Sequence, residues 1–168
     1  MSSIPELITE YNNLGRDNDR KRDVLFELKG NPSAEVARFL RCVAGRRDEW
    51  DVIRVEALQD LANNEYSNPS DDGTIATALA ELLENVTASR LVRQHAALAI
   101  SPFLKNQPLF STVKKLLLDP LEDVDVRCNL IGEIQAAGKS EPSISVVKAL
   151  INDRKLGTTA SRILAEWM

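Results

Sequence analysis

One histidine and two cysteines are all the nitrogen and sulfur ligand chemistry that this chain of 168 residues offers. His95, Cys42 and Cys128 stand far apart, so no zinc spacing can be read from them. Asp119, Glu122, Asp123 and Asp125 crowd the run DPLEDVD and could hold a hard cation through oxygen. That run lacks the glycine and the terminal glutamate of a calcium loop, and helix capping is the expected role of its carboxylates. Arg127 precedes Cys128 and could lower a thiol pKa, yet no histidine is near in sequence to act as a base. Both cysteines fall in apolar helical stretches. They are expected to be buried, reduced thiols of a cytoplasmic protein and not a disulfide framework. Neither GxGxxG nor GxxxxGK[ST] occurs, so no nucleotide motif is present. Catalytic residues, metal and cofactor are all expected to be absent: the chain reads as no enzyme.

Charge is more informative. The formal net charge is only −4, but it is segmented. Residues 16–47 hold nine basic and five acidic side chains, residues 48–85 hold ten acidic side chains against Arg54 alone, and residues 86–118 hold five basic side chains and no acid. Some acids have an evident local duty. Asp48, Glu49 and Asp51, and likewise Asp71 and Asp72, stand where helices begin and can oppose the macrodipole. Others can pair with the neighbouring basic blocks. Glu56, Asp60 and Glu65 show no such duty in the sequence, and they are expected to present charge to a basic partner.

The elements that position these residues repeat. In Trp50–Asn63, the residues Ile53, Ala57, Leu58 and Leu61 share one helical face. Aligning Ile53-Arg54 with Val92-Arg93 and Val126-Arg127 puts Ala57, Ala96 and Leu130 in register, then Leu61, Ile100 and Ile134. Fainter copies surround Lys21, with Val24 and Leu28, and Gly157, with Ala160 and Leu164. Positions 21, 54, 93, 127 and 157 are thus 33, 39, 34 and 30 residues apart, the spacing of a helical repeat. Proline at likely first turns and glycine at helix ends predict ten helices, near 4–14, 18–29, 33–44, 50–63, 72–85, 88–101, 108–118, 123–137, 142–152 and 157–167. Residues 64–73, NEYSNPSDDG, read as a long loop that accounts for the 39-residue step. The chain is read as one domain, 1–168, of five pairs at about 4–29, 33–63, 72–101, 108–137 and 142–167. A polar outer side on the first helix and Trp167 in the last should cap the stack. No run is apolar for the ~18 residues that a membrane span needs, and the start carries no secretory signal pattern.

An apolar-Arg pair followed three residues later by a small one, as in Arg54/Ala57 and Arg93/Ala96, resembles the second helix of the HEAT and HEAT-like family. Leu130 departs from the pattern, and Gly157 replaces the arginine. The resemblance implies an all-α fold, a HEAT-like α-solenoid of about five helix pairs wound as a right-handed superhelix. Such arrays serve as scaffolds and inhibitors and, less often, as enzymes. The enzymatic branch with a di-iron centre uses His-Glu pairs that this chain lacks. The branch that grips DNA needs a basic track, here Arg20, Lys21, Arg22, Arg54, Arg90, Arg93 and Arg127, which the acidic block interrupts. Nucleic acid is therefore disfavoured as a partner, and no membrane partner is expected.

What remains is a non-catalytic solenoid that binds protein. The expected partner-binding positions are Trp50, Arg54, Glu56, Gln59, Asp60, Asn63, Glu65, Tyr66, Arg93, Gln94 and His95. An inhibitor or immunity-type protein that sequesters a basic partner, such as a bacterial toxin, is the most concrete expectation. A general adaptor or assembly chaperone is the alternative, and a DNA-backbone binder of the glycosylase type a further one.

Overall fold

A computed structural model describes residues 2–63 and 69–168, with the backbone alone for residues 69–72 and 74. The described chain is all-helical, 73% helix with no strand. Ten α-helices follow in order: α1 (Ile4–Asn13), α2 (Asn18–Leu28), α3 (Ala34–Gly45), α4 (Asp51–Asn63), α5 (Pro69–Glu84), α6 (Arg90–Leu98), α7 (Gln107–Leu118), α8 (Val124–Ala137), α9 (Glu141–Ala149) and α10 (Gly157–Trp167).

The local chemistry that starts these helices is visible at most of them. Asp17, Ser33, Ser89, Asn106 and Ser140 each accept a backbone N–H from three residues ahead, and Asp123 accepts two. These bonds satisfy donors that a helix start leaves without an intrahelical partner. Gly30 at φ +75° and Gly138 at φ +93° turn the chain after α2 and α8 in a conformation that favours glycine.

Apolar packing then joins the helices in two rows. Within pairs, α1 lies against α2, α3 against α4, α5 against α6, α7 against α8 and α9 against α10. Between pairs, α2, α4, α6 and α8 touch in succession, and so do α3, α5 and α7. The register residues lie at the centre of this packing: Val24, Ala57, Ala96, Leu130 and Ala160 are fully buried. Alanine at three of these positions lets neighbouring helices come close. Trp167 packs against the last apolar face, as expected of a cap.

The repeated cation has an internal role. Arg54, Arg93 and Arg127 each donate Nε–H at 3.0 Å to the carbonyl ten residues back, on Ala44, Leu83 and Leu117. Those carbonyls lie in the last turns of α3, α5 and α7, where no intrahelical donor remains and the dipole favours a cation. Gly157 stands where the fifth repeat would have its cation. A Cβ there would sit 2.5 Å from the Ile151 carbonyl oxygen, so backbone occupies the space a side chain would need. Gly157→Ala is accordingly expected to lower stability by about 1–3 kcal/mol through overpacking, read as a fall in the urea midpoint at unchanged slope.

Three expectations are corrected. The helix expected from residue 72 begins at Pro69, so the polar run 64–73 is helical in its last five residues; residues 64–68 lie outside the described residues. The helix expected over 88–101 ends at Leu98, and the chain passes into a single 3-10 turn, Ser101–Phe103. Pro102 explains the stop, since it has no N–H to return to the carbonyl four residues back. Both cysteines are exposed, not buried. Each stands on a helix, but on the side turned away from the core.

Candidate functional site

Most of the expected partner-facing charge is engaged inside the protein. Glu56 accepts from Arg22 Nε at 2.8 Å, and Asp60, buried on α4, accepts the Gly30 N–H at 3.2 Å. Both therefore have the structural duty that the sequence did not reveal. Asp60 receives the N–H of a residue whose left-handed turn points it toward α4. Arg54 and Arg93 were expected on the partner face; both are buried. Gln94 bonds Asp125 at 3.2 Å. His95 is half-buried, and burial pushes its imidazole below the usual range, so it is neutral near pH 7. Glu65 and Tyr66 lie outside the described residues.

Several basic residues are equally occupied. Arg20 holds Glu10 at 2.6 Å and Glu27 at 3.2 Å, while Arg90 holds Asp123 at 3.0 Å together with Asp125. Arg93 grips Glu122 through both Nη atoms, at 2.9 and 2.7 Å. Lys21 is buried and binds both Glu49 oxygens, at 3.0 and 2.8 Å; Tyr11 donates to the same carboxylate at 2.8 Å. Burial alone would raise the Glu49 carboxyl, but bonds from Lys21, Tyr11 and the Trp50 N–H together hold it below the ordinary value. Burial, then the bond to Glu49, drives the Tyr11 phenol upward and keeps it a donor.

Beside these pairs, α2 and α4 leave a groove of about 730 Å³. Its lining includes Asp19, Asp23 and Phe26 from α2, and Glu56, Gln59, Asp60 and Asn63 from α4, with Arg22 and Lys29 as its basic members. Four of the expected positions thus meet in one place. Asp19, Asp23 and Phe26 were not expected there. Phe26 is 76% exposed, which is unusual for a phenylalanine on a helix whose other apolar residues are buried. Its signal in the sequence was positional: five residues after Lys21, it aligns with the exposed Gln59, five after Arg54. With Arg22 paired to Glu56, the groove keeps an excess of carboxylate. Trp50 is not part of it. It lines a separate cleft of about 530 Å³ with Tyr11, Arg16, Arg46 and Asp48.

No group of acidic, histidine or cysteine side chains among the described residues could hold a metal ion. Cys128 does not acquire the thiolate character that Arg127 suggested: partial burial, then the Asp125 carboxylate, raise its thiol pKa. No described helix is long and apolar enough to cross a membrane. No family model matches the chain, and neither a curated protein nor a solved structure matches it.

Proposed function

We propose that this chain is a protein-binding helical repeat, a HEAT-like solenoid, that captures a basic segment of a partner in the α2–α4 groove. One observation carries the reading: an exposed aromatic ring, Phe26, stands at the wall of a groove lined by four carboxylates against Arg22 and Lys29. An aromatic anchor beside charges of one sign suits a segment in which apolar residues alternate with lysine or arginine. An inhibitor or immunity-type protein that sequesters a basic partner would bind in this way. The DNA reading loses its ground, because each of the seven cations it needs is engaged with a carboxylate, a carbonyl or both.

The test is a titration with a capped peptide of alternating lysine and leucine, beside its glutamate counterpart. The basic peptide should bind and weaken as salt rises, and the acidic one should not bind. Asp23→Lys combined with Phe26→Ser should weaken the basic peptide by about tenfold or more. Leu121→Ser, at an exposed turn between α7 and α8, should leave it unchanged. Equal affinity for the groove variant and the wild type would overturn the reading.

A further inference from the structure

The junctions between successive pairs share one device, and one junction lacks half of it. At the first, Lys21 on α2 reaches Glu49, just before α4. At the third, Arg93 on α6 reaches Glu122, just before α8. At the fourth, Arg127 on α8 reaches Asp153, ahead of α10, at 2.5 Å. Glu49 and Glu122 each stand five residues before the register residue of their own repeat, Arg54 and Arg127. Five residues before Arg93 is Ala88, which has no carboxylate to offer. The atom left over is the corresponding one. In Arg93 and Arg127, Nη2 takes the carboxylate of the next repeat. In Arg54, Nε is held by Ala44 and Nη1 by Asp51, but Nη2 is buried with no hydrogen-bond partner, on a side chain only 4% exposed. A buried, charged donor without an acceptor is costly, and native structures rarely leave one.

We infer that the junction between α4 and the start of α6 is a carboxylate seat, in which a ligand's carboxylate bonds Arg54 Nη2 in the place that Glu122 takes on Arg93. By register with the third and fourth junctions, two features belong to it: the orphaned guanidinium, and the N-terminal end of the nine-residue α6, whose dipole favours a negative charge. The turn that carries Ala88 lacks the four heavy atoms by which glutamate exceeds alanine. A small free carboxylate or an acidic side chain of a bound protein could supply them. This site stands apart from the α2–α4 groove and does not depend on its reading.

The experiment is thermal unfolding of the full chain at neutral pH and fixed ionic strength. Acetate is titrated against chloride, and a capped Gly-Glu-Gly peptide is titrated in parallel. Acetate should raise the wild-type Tm by about 2–4 °C over chloride, saturably. Ala88→Glu places a carboxylate in the seat from within the chain. It should raise Tm by a similar amount and abolish the acetate response. Arg54→Met should abolish the response without that gain. A response to acetate alone assigns the seat to small free carboxylates, and a response to both probes extends it to a partner's acidic side chain. If Ala88→Glu does not fold, the wild type and Arg54→Met still decide. A wild-type Tm that is the same in acetate, peptide and chloride would overturn the inference.

Discussion

Glu49→Gln is expected to destabilise the protein by about 3–5 kcal/mol, because it leaves the buried Lys21 ammonium without a counter-charge. The substitution keeps the volume of the side chain and removes only its charge, so the loss is electrostatic. Lys21 and Glu49 are both buried, and Tyr11, fully buried, donates to the same carboxylate. The Tyr11 ring packs edge-on against Phe39 at 5.0 Å, so the polar cluster is fixed into the core at the α1–α2 end. A loss of this size is a large part of the ~5–15 kcal/mol that usually separates folded from unfolded chains. Acid should act in the same direction. The Glu49 carboxyl is held below its ordinary value in the folded state, so its contribution is complete above the ordinary carboxylate pKa. It is lost as pH falls through the lower, folded value. Urea midpoints of wild type and variant at neutral pH, and again in acid, should converge as pH falls. Glu49→Gln combined with Lys21→Met should recover part of the loss. A variant as stable as wild type at neutral pH would show that Lys21 does not depend on Glu49.

Helix positions were readable because they rest on local chemistry. Proline near first turns and glycine near helix ends mark boundaries by residue type alone, and the starts of α3, α6, α8 and α9 fall within a residue or two of expectation. The shared phase of Ala57, Ala96 and Leu130 was readable because one face of each helix must be apolar, whatever it packs against. Pairing between distant residues was not. Glu56 finds Arg22, which lies 34 residues away, and Asp60 finds the Gly30 N–H 30 residues away. No local pattern reports these contacts. Sequence counting therefore assigns to a partner charges that the fold uses itself.

Exposure was unreadable for a related reason. Cys42 and Cys128 are surrounded in sequence by apolar residues, yet helical geometry turns both outward. Phe26 is the reverse case. Its neighbours Val24, Leu25 and Leu28 fill the core face, and the remaining angle of the helix leaves it facing the groove. The acidic block also divides once the helices are assembled. Glu49, Glu56 and Glu84 serve pairs with Lys21, Arg22 and Lys115, so much of the block balances the basic segments on either side of it. The acids that line the groove come partly from α2, inside a segment of net positive charge. Linear charge segmentation and the charge of a surface are different quantities, because helices from different segments share each groove.

Arg127→Leu is expected to cost about 3–5 kcal/mol, since it removes a buried cation from a buried carbonyl and a partly buried carboxylate at once. Arg127 is 2% exposed and serves the Leu117 carbonyl through Nε and Nη2, at 3.0 and 2.7 Å, and Asp153 through Nη2 at 2.5 Å. Leucine would leave that carbonyl without its side-chain donor and Asp153 without its charge partner, and it would also leave a void where the guanidinium packed. Arg127→Lys should fall between the two. A single ammonium carries the charge but cannot present two donors in a fixed fork. A second readout separates this mechanism from a simple packing defect. The Arg127 guanidinium, helped by the Leu156 and Lys155 N–H groups, holds the Asp153 carboxyl down to about 2. Its stabilising contribution is therefore complete above the ordinary aspartate value and disappears as pH falls toward that folded value. In Arg127→Leu, the Asp153 carboxyl should titrate closer to about 3.9, and the variant should lose less stability than wild type over the same acid range. Carboxyl-detected NMR titration of both proteins, with urea midpoints along the same pH series, measures the two effects together. An Asp153 that still titrates near 2 in a destabilised variant would assign the loss to packing and remove the ion pair from the account.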